Sequence, residues 1–295
     1  MMNTNKTTFF CLGAQKSGTT SLHDILLQNP NIGLPINKET HFFSHDDLYT
    51  GNLEDYFKMY SEEAKGKEVI GEIDPEYLCS EKAPERILKH FGADLKFIVI
   101  LRNPYDRAYS QYLMSKRRGF EDLEFEEAMA NEASRTKDNF GELYFSYKTR
   151  SLYSKQIEKY FKIFNPANFL FIRFEEDFIA NKVETINKVN DFLGLKPFSY
   201  DLSIQSNVAS TPKSKLIRDF VNKPNVIRKI GKKIIASPQI RKNIISKIDH
   251  LNRKKISYNT NEDLKNKLTK SVFLDDIKTL ENLINQDLSS WYKNV

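Results

Sequence analysis

Only two of the 295 residues are cysteine, Cys11 and Cys79, and both fall in stretches that read as buried. Two such thiols give no framework of bridges; they point to a reducing compartment and exclude a disulfide-stapled secreted scaffold. No apolar run approaches the ~20 residues of a membrane-spanning helix. The polar residues 1–8 hold no hydrophobic region of the kind a secretion signal carries. Internal repeats, low-complexity linkers and a clear His/Cys/Asp/Glu cluster at metal-ligand spacing are missing too. What remains is 40% hydrophobic and 28% charged, the composition of a globular protein with a sizeable core. A net charge of +6 suits anionic ligands but does not by itself separate nucleotides, sulfated glycans and nucleic acid.

One stretch organises the rest. Residues 9–12 (Phe-Phe-Cys-Leu) predict a buried strand, a turn rich in glycine and hydroxyls follows, and Leu22, Ile25 and Leu26 share one face of the next helix. In a strand–loop–helix of this kind, backbone N–H groups at the helix N-terminus hold an anion. Gly13 and Gly18 let the backbone come close, Lys16 adds a full charge, and Ser17, Thr19, Thr20 and Ser21 can donate further hydrogen bonds. A nucleoside-triphosphate loop reads G-x-x-x-x-G-K-[ST]. Here the lysine precedes the second glycine, so the expectation is a phosphate loop that is not a kinase or ATPase loop.

A second stretch, residues 95–101, is a near-continuous Phe/Ile/Val/Leu run, the signature of a strand buried on both faces of a parallel sheet. Arg102 at its C-terminal end stands where ligands gather in open α/β sheets, and a guanidinium there can grip a phosphate through two parallel hydrogen bonds. Ser110 lies eight residues on, in a helix that Pro104 can start, and can offer its hydroxyl to the same group. Arg107 reads as a surface or pairing residue.

Residues 15–22, Gln-Lys-Ser-Gly-Thr-Thr-Ser-Leu, closely resemble the 5′-phosphosulfate loop of sulfotransferases that use 3′-phosphoadenosine 5′-phosphosulfate (PAPS). Residues 97–110 are similar to the 3′-phosphate element of the same family, and the likeness runs from about Thr8 to Val208 with a weaker echo at 280–291. The resemblance implies an α/β fold of the P-loop type: three layers, a central mostly parallel sheet flanked by helices, and a helical C-terminal extension, in a single domain over 1–295. It implies that Gln15, Lys16, Ser17, Gly18, Thr19, Thr20 and Ser21 bind the phosphosulfate and that Arg102 and Ser110 bind the 3′-phosphate. Tyr153, in a Ser-x-Tyr the family shares, and Lys213 and Lys215, in a polar loop at 206–215, are further implied cofactor contacts. A core tyrosine would explain Tyr153 as well.

Lys38-Glu39-Thr40-His41-Phe42-Phe43 is similar to the Lys-Glu-x-x-Phe-Phe stretch of glycan sulfotransferases, whose glutamate is the catalytic base. That role falls on Glu39; otherwise it is a surface charge paired with Lys38. An acceptor hydroxyl needs a carboxylate or imidazole within hydrogen-bond reach. His41 either orients Glu39 or contacts the acceptor, or is structural. Glu72 and Asp74, near the end of the next strand, read as acceptor contacts, a second base, or merely solvated or capping carboxylates.

The resemblance therefore implies transfer of a sulfuryl group from PAPS to a hydroxyl, less readily an amine, of a carbohydrate acceptor such as a polysaccharide or glycolipid. Glu39 acts as base, Lys16 stabilises the leaving group, and neither a metal nor a nucleic-acid partner is expected. Without the anchor of Golgi relatives, a cytoplasmic enzyme of bacterial type is the expectation. A P-loop small-molecule kinase and a non-catalytic nucleotide- or glycan-binding protein stay open, as does the oligomeric state. Residues 222–258 form a basic insertion, with ten Lys or Arg from Arg228 to Lys255 against the single acid Asp249. It reads as an acceptor lid, a helix at a membrane surface, or a solvated helical hairpin. Helical patterns also predict a lid at 49–59, an exposed excursion at 116–139 and a tail at 264–291, while Glu175, Glu176 and Asp177 read as the cap and start of a helix that Gly194 stops.

Overall fold

The computed structural model describes residues 7–203, 210–222, 244–245, 247–248, 251–255 and 261–293. They belong to two compact units, one of Met1–Arg107, Arg150–Ser206 and Lys265–Val295, the other of Ala108–Thr149 and Asn207–Leu264.

Five strands build the first unit: β1 (Thr7–Gly13), β2 (Ile32–Gly33), β3 (Val69–Ile73), β4 (Lys96–Leu101) and β5 (Phe169–Arg173). All pair in parallel, in the order β2-β3-β1-β4-β5. Central β1 pairs Phe9 with Gly71 of β3 on one side and with Lys96 of β4 on the other. Helices cover both faces of the sheet, which is why β1 and β4 read as unbroken apolar runs instead of alternating ones. On one face, helix α1 (Thr19–Leu26) buries Leu22, Ile25 and Leu26 in a cluster with Cys11, Val69 and Ile98. On the other, Phe91 of the Ala83–Phe91 helix packs edge-on against Phe10, their centroids 5.4 Å apart, beside Phe43 and Phe97. This is a three-layer α/β fold of the P-loop type. The helix Leu274–Ile284 supplies the C-terminal extension: its Asp276 accepts from Tyr153 N at 2.7 Å and Ser154 N at 3.2 Å, capping the Tyr153–Phe161 helix.

The helix bounds expected at 49–59 and at 175–177 need correction. The helix expected at 49–59 spans only Leu53–Phe57, because the Asn52 side chain caps it by accepting from Glu54 N, although Tyr56 and Tyr60 are buried as their spacing suggests. Glu175, Glu176 and Asp177 do not begin the helix that Gly194 ends. They sit in a π-helical turn, Phe174–Ile179, where Asp177 turns back to accept from Arg173 N at 2.7 Å, and the helix starts later as Lys182–Leu193.

In the second unit, the part of the Pro104–Arg118 helix from Ala108 onward is followed by Phe125–Ala130, Glu132–Arg135 and Asn139–Phe145. The exposed excursion expected at 116–139 instead has an interior of its own. Phe125 and Met129 are buried, and so is Glu121, which accepts from Arg135 at 2.8 Å and from Tyr147 at 2.7 Å. Strands β6 (Ser210–Pro212) and β7 (Arg253–Lys255) pair antiparallel, so part of the polar loop is a strand. Most of the basic segment 222–258 lies outside the described residues, and its part at Arg253–Lys255 is a strand where a helix was expected. Among the described residues, no helix is long and apolar enough to cross a membrane.

Removing the Asp276 cap leaves first-turn N–H groups of the Tyr153–Phe161 helix without their acceptor. Asp276→Ala is expected to cost ~1–2 kcal/mol, read as a lower denaturation midpoint; an unchanged midpoint would show that the cap contributes nothing.

Candidate active site

The loop after β1 is shaped by its backbone. Lys16 adopts a left-handed φ of 74° and Gly18 one of 86°, and Gly18 stands as the N-cap of α1. A Cβ at Gly18 would lie 2.6 Å from the Phe174 ring, so only glycine fits both the conformation and the space. Ala14 N donates to Ile100 O at 2.7 Å and Ser17 N to Ala14 O at 3.2 Å, tying the loop to β4 and closing it on itself. The N-cap Gly18 makes no side-chain hydrogen bond to the first turn of α1, where leading N–H groups lack intrahelical acceptors. Ser17 is fully buried and its Oγ has no hydrogen-bond partner; the buried Gln15 Oε1 has none either.

Arg102, at the end of β4, comes to this loop. Its Nη1 donates to Lys16 O at 3.3 Å, its Nε to Glu175 Oε1 at 2.9 Å, and its guanidinium lies 5.1 Å from the Phe174 ring centroid. Burial pushes the Glu175 carboxyl up, and the Arg102 charge only partly offsets this. Tyr153 is fully buried and donates its hydroxyl to Arg102 O at 3.0 Å; burial pushes the phenol well above its ordinary value. Tyr153 thus braces the backbone that carries Arg102. Arg107 is no surface residue: it is fully buried with Nε 2.5 Å from Ser151 Oγ.

The third strand end holds the segment of Glu39. Glu39 and His41 both have left-handed backbones, φ 64° and 55°. Lys38 Nζ donates to Glu39 Oε1. Between the two left-handed residues, Thr40 N donates to Glu72 Oε1 at 2.9 Å, and His41 N donates to Asp74 Oδ2 at 2.7 Å. Neither Glu72 nor Asp74 is open to an acceptor, since both are 0% exposed. Glu72 also accepts from Tyr56 OH at 3.0 Å and Tyr77 OH at 2.9 Å. Burial, then the nearby Asp74 charge, pushes the Glu72 carboxyl up.

His41 Nδ1 lies 3.1 Å from the same Asp74 oxygen, at ion-pair distance but off the line of a hydrogen bond, and its ring stacks on His45 at 4.9 Å. Burial alone would lower the imidazole pKa; contact with Asp74, reinforced by the charges of Glu76 and Glu39, outweighs it and raises the value to about 9. Glu76 is held by a bidentate pair with Arg150, both contacts 2.6 Å; burial would raise its pKa, and the arginine brings it below the usual range.

Of the residues singled out in the sequence, Gln15 to Ser21, Glu39, His41, Arg102 and Tyr153 lie in the first unit, at or beside the C-terminal ends of β1, β3 and β4. Ser110, Lys213 and Lys215 belong to the second. There Ser110 is half-buried on the Pro104–Arg118 helix, Lys215 is exposed, and Lys213 Nζ donates to Leu251 O at 2.9 Å. Sequence reasoning missed Phe174 and Glu175 as partners of Gly18 and Arg102, and Tyr56 and Tyr77 as partners of Glu72. The apolar–acidic join at 174–175 was the available signal.

A glycine-capped loop after the central strand and an arginine after its neighbour define a P-loop-type protein built to hold phosphate-like anions. A model described as "Sulfotransferase domain" matches residues 6–273, and the chain belongs to that family, whose members are PAPS-dependent enzymes. The chain is 30% identical over 190 residues to heparan sulfate glucosamine 3-O-sulfotransferase 3B1 of Mus musculus, covering 63% of this chain and 45% of that protein. It is 29% identical over 190 residues to the 3-O-sulfotransferase 6 of Homo sapiens, covering 63% and 51%. It thus spans about half the length of these curated relatives. A solved sulfotransferase of Alicyclobacillus acidocaldarius superposes with a TM-score of 0.70 at 27% identity, over 97% of this chain and 98% of that one.

His41 carries a pH signature. Its folded-state pKa of about 9 stands above the ordinary 6.5, so the stability it contributes is complete below pH 6.5 and lost as pH rises through about 9. The difference in unfolding free energy between the wild-type protein and His41→Ala should shrink over that interval; a constant difference would contradict the assignment.

Proposed function

We propose that this chain transfers a sulfuryl group from PAPS to a hydroxyl of a carbohydrate acceptor, with Glu39 as base and Lys16 as the counter-charge. The observation that carries the reading is the 3.3 Å contact between Arg102 and the Lys16 carbonyl, which joins the loop after β1 to the cation after β4. One bisphosphorylated nucleotide can then use both. The unpartnered Ser17 hydroxyl and the first turn of α1, with glycine at its N-cap, fit a phosphosulfate oxygen, and Gly18 lets it approach the backbone. When bound, PAPS supplies the sulfuryl group and departs as adenosine 3′,5′-bisphosphate.

The residues of the chain do the rest. Lys16 and the α1 N-terminus place positive charge where the leaving phosphate gathers it. Arg102, braced by Tyr153, takes the 3′-phosphate at the other end. Glu39 takes the acceptor's hydroxyl proton as that oxygen forms its bond to sulfur. His41, cationic up to about pH 9, acts as a donor to the acceptor and not as a rival base. Holding donor and acceptor in line accounts for ~7–11 kcal/mol of barrier lowering in well-oriented systems, more than one proton transfer supplies.

The carbohydrate acceptor rests on Lys38-Glu39-Thr40-His41-Phe42-Phe43 and on the glycan-directed names of the curated relatives. Since one family model runs through both compact units, we treat them as a single sulfotransferase domain. The unpaired Cys11 and Cys79 agree with a cytoplasmic setting.

Glu39→Gln should bind adenosine 3′,5′-bisphosphate as the wild type does while transfer of labelled sulfate falls ~10²–10⁴-fold; full sulfation by the variant would remove Glu39 from the role of base. Calorimetry is expected to give tighter binding of adenosine 3′,5′-bisphosphate than of ATP with Mg²⁺, and the reverse preference would defeat the donor assignment.

A further inference from the structure

Two fully buried carboxylates, Glu72 near the end of β3 and Asp74 just beyond it, spend their oxygens on two successive backbone amides of another segment. We propose that Glu72 and Asp74 are positioning residues of the transfer site: by holding Thr40 N and His41 N they fix the directions in which the Glu39 and His41 side chains leave the chain. The inference rests on the reading of Glu39 as base.

The geometry is specific. Left-handed backbone at a residue other than glycine is strained and persists only where the surroundings impose it. Here two such residues, at φ 64° and 55°, flank a single threonine, and the carboxylates supply the constraint on both sides. Thr40 is 9% exposed, whereas the side chain of Glu39 is 35% exposed and that of His41 28%. Turning the two amides inward thus turns the two functional side chains outward. Each carboxylate is itself held: Glu72 by Tyr56 and Tyr77, Asp74 by Glu76 N at 3.0 Å. Tyr77 also reaches the segment directly, with its hydroxyl 3.2 Å from Thr40 Oγ1.

A neutral side chain could accept from these amides without the cost of burying a charge. What a carboxylate adds at position 74 is its charge beside His41 Nδ1. The charged groups around that imidazole are Asp74, Glu76 (already engaged by Arg150) and Glu39, with the His45 ring stacked on it. Asp74 is the one in contact. It keeps His41 protonated next to Glu39, so that of the two outward side chains only Glu39 is free to take a proton.

The test is Asp74→Asn, which preserves an oxygen acceptor for His41 N while removing the charge. In histidine-labelled protein followed by NMR without substrate, the His41 titration midpoint should drop by at least one pH unit from about 9 toward 6.5. Turnover should fall ~10²-fold with donor KM and adenosine 3′,5′-bisphosphate affinity unchanged, as expected when the proton balance between Glu39 and His41 is disturbed and the donor site is not. An unmoved His41 midpoint, or turnover within twofold of wild type, overturns the proposal, as does a loss in donor KM equal to that in turnover. If Asp74→Asn does not fold, Glu72→Gln is read by the same split, with retained donor KM and reduced turnover expected. Were the wild type itself inactive with PAPS, the functional reading would fail, while the NMR arm would still decide what Asp74 does to His41.

Discussion

Hydrogen bonding of β1 to both β3 and β4 is the constraint on which the site depends. Three adjacent parallel strands end on the same side, and each end delivers one part: the Lys16 loop from β1, Glu72 and Asp74 from β3, Arg102 from β4. Cross-links then join the parts, with Ala14 N on Ile100 O, Asp74 N on Cys11 O and Arg102 on Lys16 O. A shift of one residue in either pairing would turn β-strand side chains to the other face and separate these groups. The apolar strands are therefore the frame that sets distances between polar groups far apart in sequence.

What was legible in the sequence was local. The strand, turn and helix from residue 7 to 26 announce themselves through a buried run, two glycines and an apolar stripe, and Arg102 through its place after β4. Gly194 at the end of its helix was equally readable. The partners of polar groups were not. Glu72, Asp74 and Arg107 carry charge and would ordinarily face water, yet all three are fully buried because their partners arrive from Thr40, His41 and Ser151. Glu175 looked like a helix cap because nothing nearby in sequence tells that Arg102 stands opposite.

The surroundings of Glu39 show how a fold treats acidic groups of one kind differently. Glu39 is partly open and beside Lys38, Glu72 is enclosed by hydroxyls and an amide, and Glu76 is locked to Arg150. The same carboxylate chemistry becomes a candidate base, a brace and half of an ion pair according to solvent and partner alone. Aromatic packing of Phe42 and Phe43 against Tyr56, Tyr49 and Phe91 keeps the segment that carries Glu39 on the sheet.

Arg102 also has a neighbour with a consequence for affinity. Glu175 already pairs with the guanidinium, so on the proposed reading a 3′-phosphate would meet an occupied partner and not a bare cation. Binding at that end would then be an exchange of one anion for another, its strength the difference between two pairings. Raising ionic strength weakens the old pair together with the new one, which makes this end of the site less sensitive to salt than its charge suggests.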